Sequence, residues 1–180
     1  MYHLKKKGYR NFFGVDVSLQ QIQYCQEHIS DKVAVIDGMN FLEDKASAYD
    51  VITAHDVMEH IFKKETLRFL ELVYKALKKG GVFIVRVPNM SNPFGLDARY
   101  SDFTHEVGFT SKSLYQILWI AGFRDIVILP PAQIAVGSFR NWVRKYLVAM
   151  VHRLIQFFYY IQDYTVPKNL DKNLIAVVKK

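Results

Sequence analysis

Short apolar runs rich in valine, isoleucine and phenylalanine alternate along the chain with longer stretches in which apolar residues recur every three or four positions. The short runs predict β-strands and the longer stretches predict amphipathic helices. Strands are expected at residues 12–17, 33–37, 50–54, 82–87, 126–129 and 174–178. Because these runs are apolar throughout and helices separate them, we predict a mainly parallel sheet covered on both faces. That is a doubly wound α/β fold, in a single domain spanning 1–180.

Several predicted helices carry end signals. Ser18 is followed three residues later by Gln21, a capping-box pair that predicts a helix start. A helix is expected over 64–79, where Gly80-Gly81 ends it, and Thr110 or Ser111 begins another that Gly122 closes. These local signals support the alternation of strands and helices.

The segment 138–163 interrupts the alternation. Its apolar residues, many of them aromatic, keep helical spacing over about six turns, and basic residues lie between them. Such a helix suits three roles: contact with an anionic membrane surface, a lid on its own sheet, or a homodimer interface. Nucleic acid fits poorly, because the aromatic residues share the apolar side and do not interleave with the basic ones.

Charge and composition narrow the class of protein. The net charge is +7, and residues 138–180 hold eight basic side chains against two acidic ones, so anionic partners are to be sought there. A single cysteine, Cys25, excludes an internal disulfide, and the start of the chain is basic, unlike a signal peptide. We therefore expect a cytoplasmic protein, with the inner membrane surface as the alternative raised by 138–163.

Acidic residues follow three of the predicted strands. Asp16 ends the first, Asp37 ends the second, and Asp56 follows the third. Ligands of open parallel sheets bind at the carboxyl ends of strands, and a carboxylate there can accept both hydroxyls of a ribose. The pattern suits a nucleoside cofactor, although Asp16 could equally serve only to start the next helix.

Four motifs in order resemble those of class I S-adenosylmethionine-dependent methyltransferases. The first resembles the second-strand motif whose acidic residue binds ribose, the second the adenine loop, the third the fourth-strand motif with its "V-x-EH" signature, and the fourth the "LKPGG" turn. In the same order, the motifs in this chain are Phe13-Gly14-Val15-Asp16-Val17-Ser18; Asp37-Gly38-Met39; Tyr49-Asp50-Val51-Ile52 together with His55-Asp56-Val57-Met58-Glu59-His60-Ile61; and Leu77-Lys78-Lys79-Gly80-Gly81-Val82-Phe83.

The resemblance implies a Rossmann-like sheet and S-adenosylmethionine as cofactor. It implies a cofactor site made by Asp16, Val17, Asp37, Gly38, Met39, His55 and Asp56. The family's first strand and glycine loop are absent here, since residues 1–9 resemble only the tail of the helix that follows them. We expect either a fragment of a longer gene product or a chain that has lost cofactor binding.

The run Asp102-Phe103-Thr104-His105 resembles the "D-P-T-H" segment of methyltransferases acting on bacterial surface sugars and, more loosely, the "G-T-H" segment of quinone-forming O-methyltransferases. Imidazole titrates near neutral pH, so we expect His105 to act as base, with Asp102 orienting it or contacting substrate. His60 is the second candidate base. Each histidine could instead have a purely structural role, tying down backbone or packing.

The resemblance leads to an O-methyltransferase of a sugar or glycan hydroxyl in surface polysaccharide biosynthesis. A quinone or other small-molecule O-methyltransferase, a non-catalytic methyltransferase-like subunit and a nucleotide-sugar oxidoreductase are the alternatives. No metal is expected, because the neighbouring side chains of His55, Asp56, Glu59 and His60 lack the His-Glu-x-x-His spacing.

Overall fold

Strands and helices alternate as expected in the computed structural model, which describes residues 1–131 and 139–180. The described strands are β1 (Gly14–Asp16), β2 (Val33–Val35), β3 (Tyr49–His55), β4 (Leu77–Pro88), β5 (Arg124–Leu129) and β6 (Asn173–Lys179). The described α-helices are α1 (Tyr2–Lys6), α2 (Leu19–His28), α3 (Gly38–Leu42), α4 (Thr66–Ala76), α5 (Gly95–Tyr100), α6 (Ser111–Ile120) and α7 (Phe139–Ile161), and a 3-10 helix spans Met58–His60. The α/β class is confirmed.

The strands form two separate sheets. Strands β1 and β2 pair in parallel, and the larger sheet has the order β3-β4-β6-β5. Strand β4 is parallel to β3, but β6 runs antiparallel to both β4 and β5. Strands β3, β4 and β5 therefore share one direction and β6 is reversed, so the larger sheet is mixed while the smaller one is parallel. Parallel strands predominate within the described sheets, as predicted, but the reversal of β6 was not predicted. An apolar run such as 174–178 reads the same in either direction, so its composition cannot fix the strand direction.

The core lies on one face of the larger sheet. Alternate residues of β4 and β6 point into it, where helices α4 and α6 cover them. The fully buried members include Phe83, Val85, Val87, Leu174, Ala176, Val178, Leu70, Val73, Leu114, Leu118 and Phe123. On the opposite face, Val51, Val127 and Leu129 remain about half exposed, so the prediction that both faces are covered does not hold for this sheet.

The turn into β4 differs from the prediction. Helix α4 ends at Ala76, three residues earlier than expected, and β4 begins at once. Leu77 pairs with Tyr49 but Val82 pairs with Val51, so the intervening residues bulge out of the ladder. Gly80 has φ +75° there, and a Cβ on Gly81 would lie 2.9 Å from the carbonyl oxygen of Lys78. The glycines therefore shape a bulge in the strand and do not end the helix.

The capping box at the start of α6 gives a testable contribution to stability. Thr110 Oγ1 accepts from Ser113 N at 3.2 Å, and Ser113 Oγ accepts from Thr110 N at 2.9 Å. We expect Thr110→Ala to lower the free energy of unfolding by about 1 kcal/mol, because an N-terminal amide of the helix loses its acceptor. Urea unfolding measures this, with the exposed Thr165→Ala, outside any helix, as control. Equal stability of the two variants would contradict the capping role.

Helix α7 lies along the surface and has no buried residue over its 23 positions. Ser138, where the sequence pattern first predicted this segment to begin, lies outside the described residues. In the described part of the chain, no helix is both long enough and apolar enough to cross a lipid bilayer.

Candidate functional site

Asp16 and Asp37 lie at the same edge of the small sheet. In the register of β1 and β2, Asp16 pairs with Val35, and Asp37 comes two residues later, so both follow the carboxyl ends of parallel strands. Asp16 Oδ1 accepts from Ser18 N at 2.8 Å, and its Oδ2 has no partner among the described residues. The next side chain, Val17, is 70% exposed. A free carboxylate oxygen beside exposed apolar surface suits a ribose and the base attached to it.

Asp37 starts helix α3. Its Oδ1 accepts from Met39 N at 3.0 Å and from Asn40 N at 3.1 Å, which makes it the N-cap. A Cβ on Gly38 would meet no atom within 4 Å, so open space adjoins this turn. The three residues expected to contact adenine therefore form an ordered turn whose glycine faces free volume.

Asp56 and His55 lie at the carboxyl end of β3 in the larger sheet. Asp56, at φ +53°, turns the chain, and its carboxylate accepts from Arg86 Nε at 3.1 Å and from Arg86 Nη2. Burial and then the nearby guanidinium of Arg86 lower the pKa of His55, which favours the neutral imidazole. Asp56 therefore already has a cationic partner, and its expected contact with the cofactor remains a prediction.

A relay of hydrogen bonds fixes the orientation of His60. Thr104 donates its hydroxyl proton to Asp102 Oδ1 at 2.7 Å, and its backbone N–H donates to the same oxygen at 2.9 Å. These two bonds, the hydroxyl first, lower the pKa of Asp102, so it accepts as a carboxylate. With its proton used, Thr104 Oγ1 accepts from His60 Nδ1 at 2.8 Å. The proton of His60 is thereby placed on Nδ1, and Nε2 keeps a free lone pair.

His105 is held in the same state by backbone. Its Nδ1 lies 2.9 Å from the carbonyl oxygen of Ala98, which can only accept, so Nε2 is again left with a lone pair. Arg99 donates to the carbonyl oxygens of His105 and Glu106 and anchors the loop. The rings of His60 and His105 have centroids 4.7 Å apart. The structure thus brings together two imidazoles that are 45 positions apart in the sequence.

Glu59 lies beneath the two histidines and is 2% exposed. Its carbonyl oxygen accepts from Glu106 N at 2.7 Å and Val107 N at 3.1 Å, which holds the loop of His105 against the 3-10 helix. Its carboxylate oxygen Oε2 has no partner among the described residues, and burial raises the pKa of Glu59 to about 7. One potential ligand atom from each of Glu59, His60 and His105 lies within 4.8 Å of the other two.

The three predicted catalytic residues therefore occupy one site, with an altered connection. The resemblance predicts that Asp102 orients His105 or contacts substrate, whereas its carboxylate bonds to Thr104 and through it reaches His60. His105, which is distant in sequence from Glu59 and His60, joins them in the fold as a third potential metal ligand.

Sequence reasoning missed three residues of this region. Arg86 pairs with Asp56, and the signal was a lone charge within the apolar strand 82–87. Asn89 is fully buried and donates to the carbonyl oxygens of Asn169 and Asp171, which ties the end of β4 to the segment before β6. Thr104 lay inside a motif already recognised, but its bond to His60 spans 44 positions and leaves no trace in sequence.

Comparison with known proteins places this geometry in a family. The model of a family described as "Methyltransferase domain" matches residues 2–127. A comparison with curated proteins found no match.

Solved structures with the same fold come from several organisms. An S-adenosylmethionine-dependent methyltransferase from Archaeoglobus fulgidus superposes with a TM-score of 0.70 at 20% identity, covering 99% of this chain and 80% of that one. A methyltransferase of the same kind from Thermotoga maritima gives 0.64 at 15% identity, covering 93% and 72%. Phosphoethanolamine N-methyltransferase 2 of Haemonchus contortus, solved with S-adenosyl-L-methionine, gives 0.61 at 15% identity, covering 99% and 45%.

At these identities the likeness to solved structures establishes the fold, and the family match over 2–127 establishes kinship. The ordered acidic edge and the motifs around it agree with both. The chain belongs to the class I S-adenosylmethionine-dependent methyltransferases.

Proposed function

We propose that this methyltransferase acts on a hydroxyl group of a sugar or glycan, with His105 as the base and His60 beside it. The observation that carries the proposal is the pair of imidazoles, 4.7 Å apart, each with Nδ1 engaged and Nε2 free. They lie close to the carboxyl ends of β3 and β4, the edge where ligands of such sheets bind.

One group of residues binds the cofactor, and a second group acts on the acceptor hydroxyl. Asp16 accepts the ribose hydroxyls, while Asp37, Gly38 and Met39 bound the adenine. S-adenosylmethionine, when bound, supplies an electrophilic methyl group on a sulfonium sulfur. With the cofactor bound, His105 Nε2 would accept the proton of the acceptor hydroxyl while the methyl carbon exchanges its bond to the sulfonium sulfur for one to the oxygen, leaving a neutral thioether. The imidazolium so formed would be stabilised by Ala98 O at Nδ1. Glu59, whose carboxyl lies within 4.8 Å of a ring nitrogen of His105, would stabilise the same cation in its ionised form.

The acceptor class is supported by the loop before His105. Three aromatic side chains in the segment that contains Asp102, those of Phe94, Tyr100 and Phe103, are at least 73% exposed. A sugar has an apolar face and hydroxyl groups. Exposed aromatic rings can pack on the apolar face, and a carboxylate in the same segment can accept hydrogen bonds from the hydroxyls. Arg99 donates to the carbonyl oxygens of His105 and Glu106, which fixes the backbone on the carboxyl side of this loop.

Transfer of a labelled methyl group tests the proposal. The protein is incubated with methyl-labelled S-adenosylmethionine and with nucleotide-sugars, oligosaccharides, catechols and amines in parallel. We expect label in a sugar as an ether that survives mild alkali. Label only in catechols would support the quinone-type alternative. Cofactor binding without transfer to any acceptor class would support a non-catalytic subunit.

Repeating the transfer assay in EDTA distinguishes two ways in which the acceptor hydroxyl can lose its proton. If His105 Nε2 accepts it directly, EDTA leaves the rate unchanged. Loss of activity in EDTA, restored by a divalent cation, would show instead that Glu59, His60 and His105 hold a metal that activates the hydroxyl.

A further inference from the structure

Helix α7 turns its apolar side away from the domain. Seven large apolar residues on that side are between 54% and 81% exposed. They are Phe139, Trp142, Tyr146, Met150, Leu154, Phe157 and Ile161. At 100° per residue they form one stripe along the full helix. Contiguous apolar surface of this extent marks an interaction site.

The inward side of α7 is the more polar one. The half-buried residues of the helix are Asn141, Val143, His152, Ile155, Gln156 and Tyr159, and four of these six carry a polar group. Gln156 Nε2 donates to the carbonyl oxygen of Pro167 at 2.9 Å, and the rings of Tyr159 and Tyr164 lie 6.3 Å apart. A helix of a soluble domain ordinarily buries its apolar stripe against the core. Here the polar side is anchored and the apolar side is presented outward, so a lid that packs its stripe on the sheet is not what the structure shows.

The charges of α7 select among the surfaces that could cover this stripe. Residues 139–161 contain Arg140, Arg144, Lys145 and Arg153 and no acidic residue. By helical angle, Arg140 lies about 40° beyond one edge of the stripe, and Arg153 lies about 20° inside the other edge, near Trp142 and Tyr146. A second copy placed face to face would set four cations against four, which is repulsive, whereas anionic lipid headgroups would neutralise them.

We propose that α7 binds the surface of an anionic lipid bilayer, with its apolar stripe in the interface and the guanidinium groups of Arg140 and Arg153 extending to the headgroups. At 1.5 Å per residue the helix is about 35 Å long and lies in the plane of the surface. It does not cross the bilayer, in agreement with the absence of a spanning helix among the described residues. Away from the stripe, Gln156 and Tyr159 contact the segment 164–167 that leads into β6.

Vesicle flotation with the full chain tests the proposal. Vesicles of phosphatidylcholine with about one third phosphatidylglycerol are compared with vesicles of phosphatidylcholine alone. We expect the protein to float with the anionic vesicles and to remain below with the neutral ones. Binding should weaken as salt is raised, because headgroup attraction is screened.

Two double variants separate the apolar and charged contributions. Met150→Asp with Leu154→Asp should weaken binding roughly 100-fold, because two side chains no longer enter the interface. Arg140→Gln with Arg153→Gln should weaken it roughly 25-fold, about fivefold for each cation. The altered residues are exposed, so unfolding by urea should be unchanged. Matched controls are Leu19→Asp with Tyr24→Asp, and Lys63→Gln with Lys64→Gln, all exposed elsewhere; neither should alter binding.

Three results would overturn the proposal. The protein could fail to float with anionic vesicles, or float equally with neutral ones. It could also sediment as a dimer that Met150→Asp with Leu154→Asp converts to a monomer, which would assign the stripe to a second copy of this chain.

Discussion

Replacing His105 with alanine is expected to lower the rate of methyl transfer by about 100- to 10,000-fold. The substitution removes Nε2, the lone pair left free when Nδ1 bonds to the carbonyl oxygen of Ala98. Cofactor affinity should change little, because His105 is assigned to the acceptor hydroxyl and not to the ribose and adenine contacts of Asp16 and Asp37. The measurement is kcat with labelled cofactor, together with the dissociation constant of the cofactor by calorimetry.

His28→Ala is the matched control. His28 Nδ1 also bonds to a backbone carbonyl oxygen, that of Tyr24 at 3.0 Å, but on the surface of α2. Its removal should leave kcat unchanged. A rate retained in His105→Ala but lost in His60→Ala would transfer the base role to His60, whose Nε2 is equally free.

Changing Asp16 to asparagine is expected to weaken S-adenosylmethionine binding roughly 10- to 100-fold. Hydrogen bonds to a charged group contribute more than neutral ones, roughly 1.5–3 kcal/mol each. Asparagine keeps an oxygen for the N–H of Ser18, which Asp16 Oδ1 accepts at 2.8 Å, so the turn into α2 survives and only the charge is lost. Equilibrium dialysis with labelled cofactor gives the affinities of both proteins.

Asp50→Asn provides the comparison for this variant. Asp50 is an exposed carboxylate near the opposite end of β3, where it pairs with Lys78 at 2.9 Å. Its neutralisation changes the net charge identically and should leave cofactor affinity unaltered. If both variants bind equally well, the proposed ribose contact of Asp16 is wrong.

The order of strands and helices was predictable from the sequence, whereas the direction of each strand and the covered face of the sheet were not. Local patterns are enough to find strands near 33–37 and 174–178 and the cap at Thr110, because burial and capping act over a few residues. Strand direction and the covered face depend on partners far away in the chain. The runs 82–87 and 174–178 contain apolar residues at both odd and even positions, so the sequence does not show which side of each strand is buried. Only the fold shows that Phe83, Val85 and Val87 face the core while Arg86 faces the other side.

The site was predictable in its parts and not in its connections. Asp16, Asp37, His60, Asp102 and His105 each stand in a motif that sequence alone identifies. The bonds among them, from Thr104 to His60 and from the Glu59 carbonyl to Val107, join segments more than 40 positions apart. For α7, periodicity identifies a stripe but cannot tell which side the domain holds, and the structure presents the apolar side outward.

The division of the strands into two sheets has a thermodynamic consequence. The acidic edge belongs to β1 and β2, which share no ladder with the larger sheet. They meet it through helix α3, where Leu42 is buried in the core and the ring of Phe41 lies between Phe13 at 5.6 Å and Tyr49 at 6.2 Å. Because no backbone ladder joins the two sheets, the smaller unit can open at a lower free energy than global unfolding. A ligand bridging Asp16 to the histidines would then act as a tether, and part of its binding energy would go into suppressing that opening.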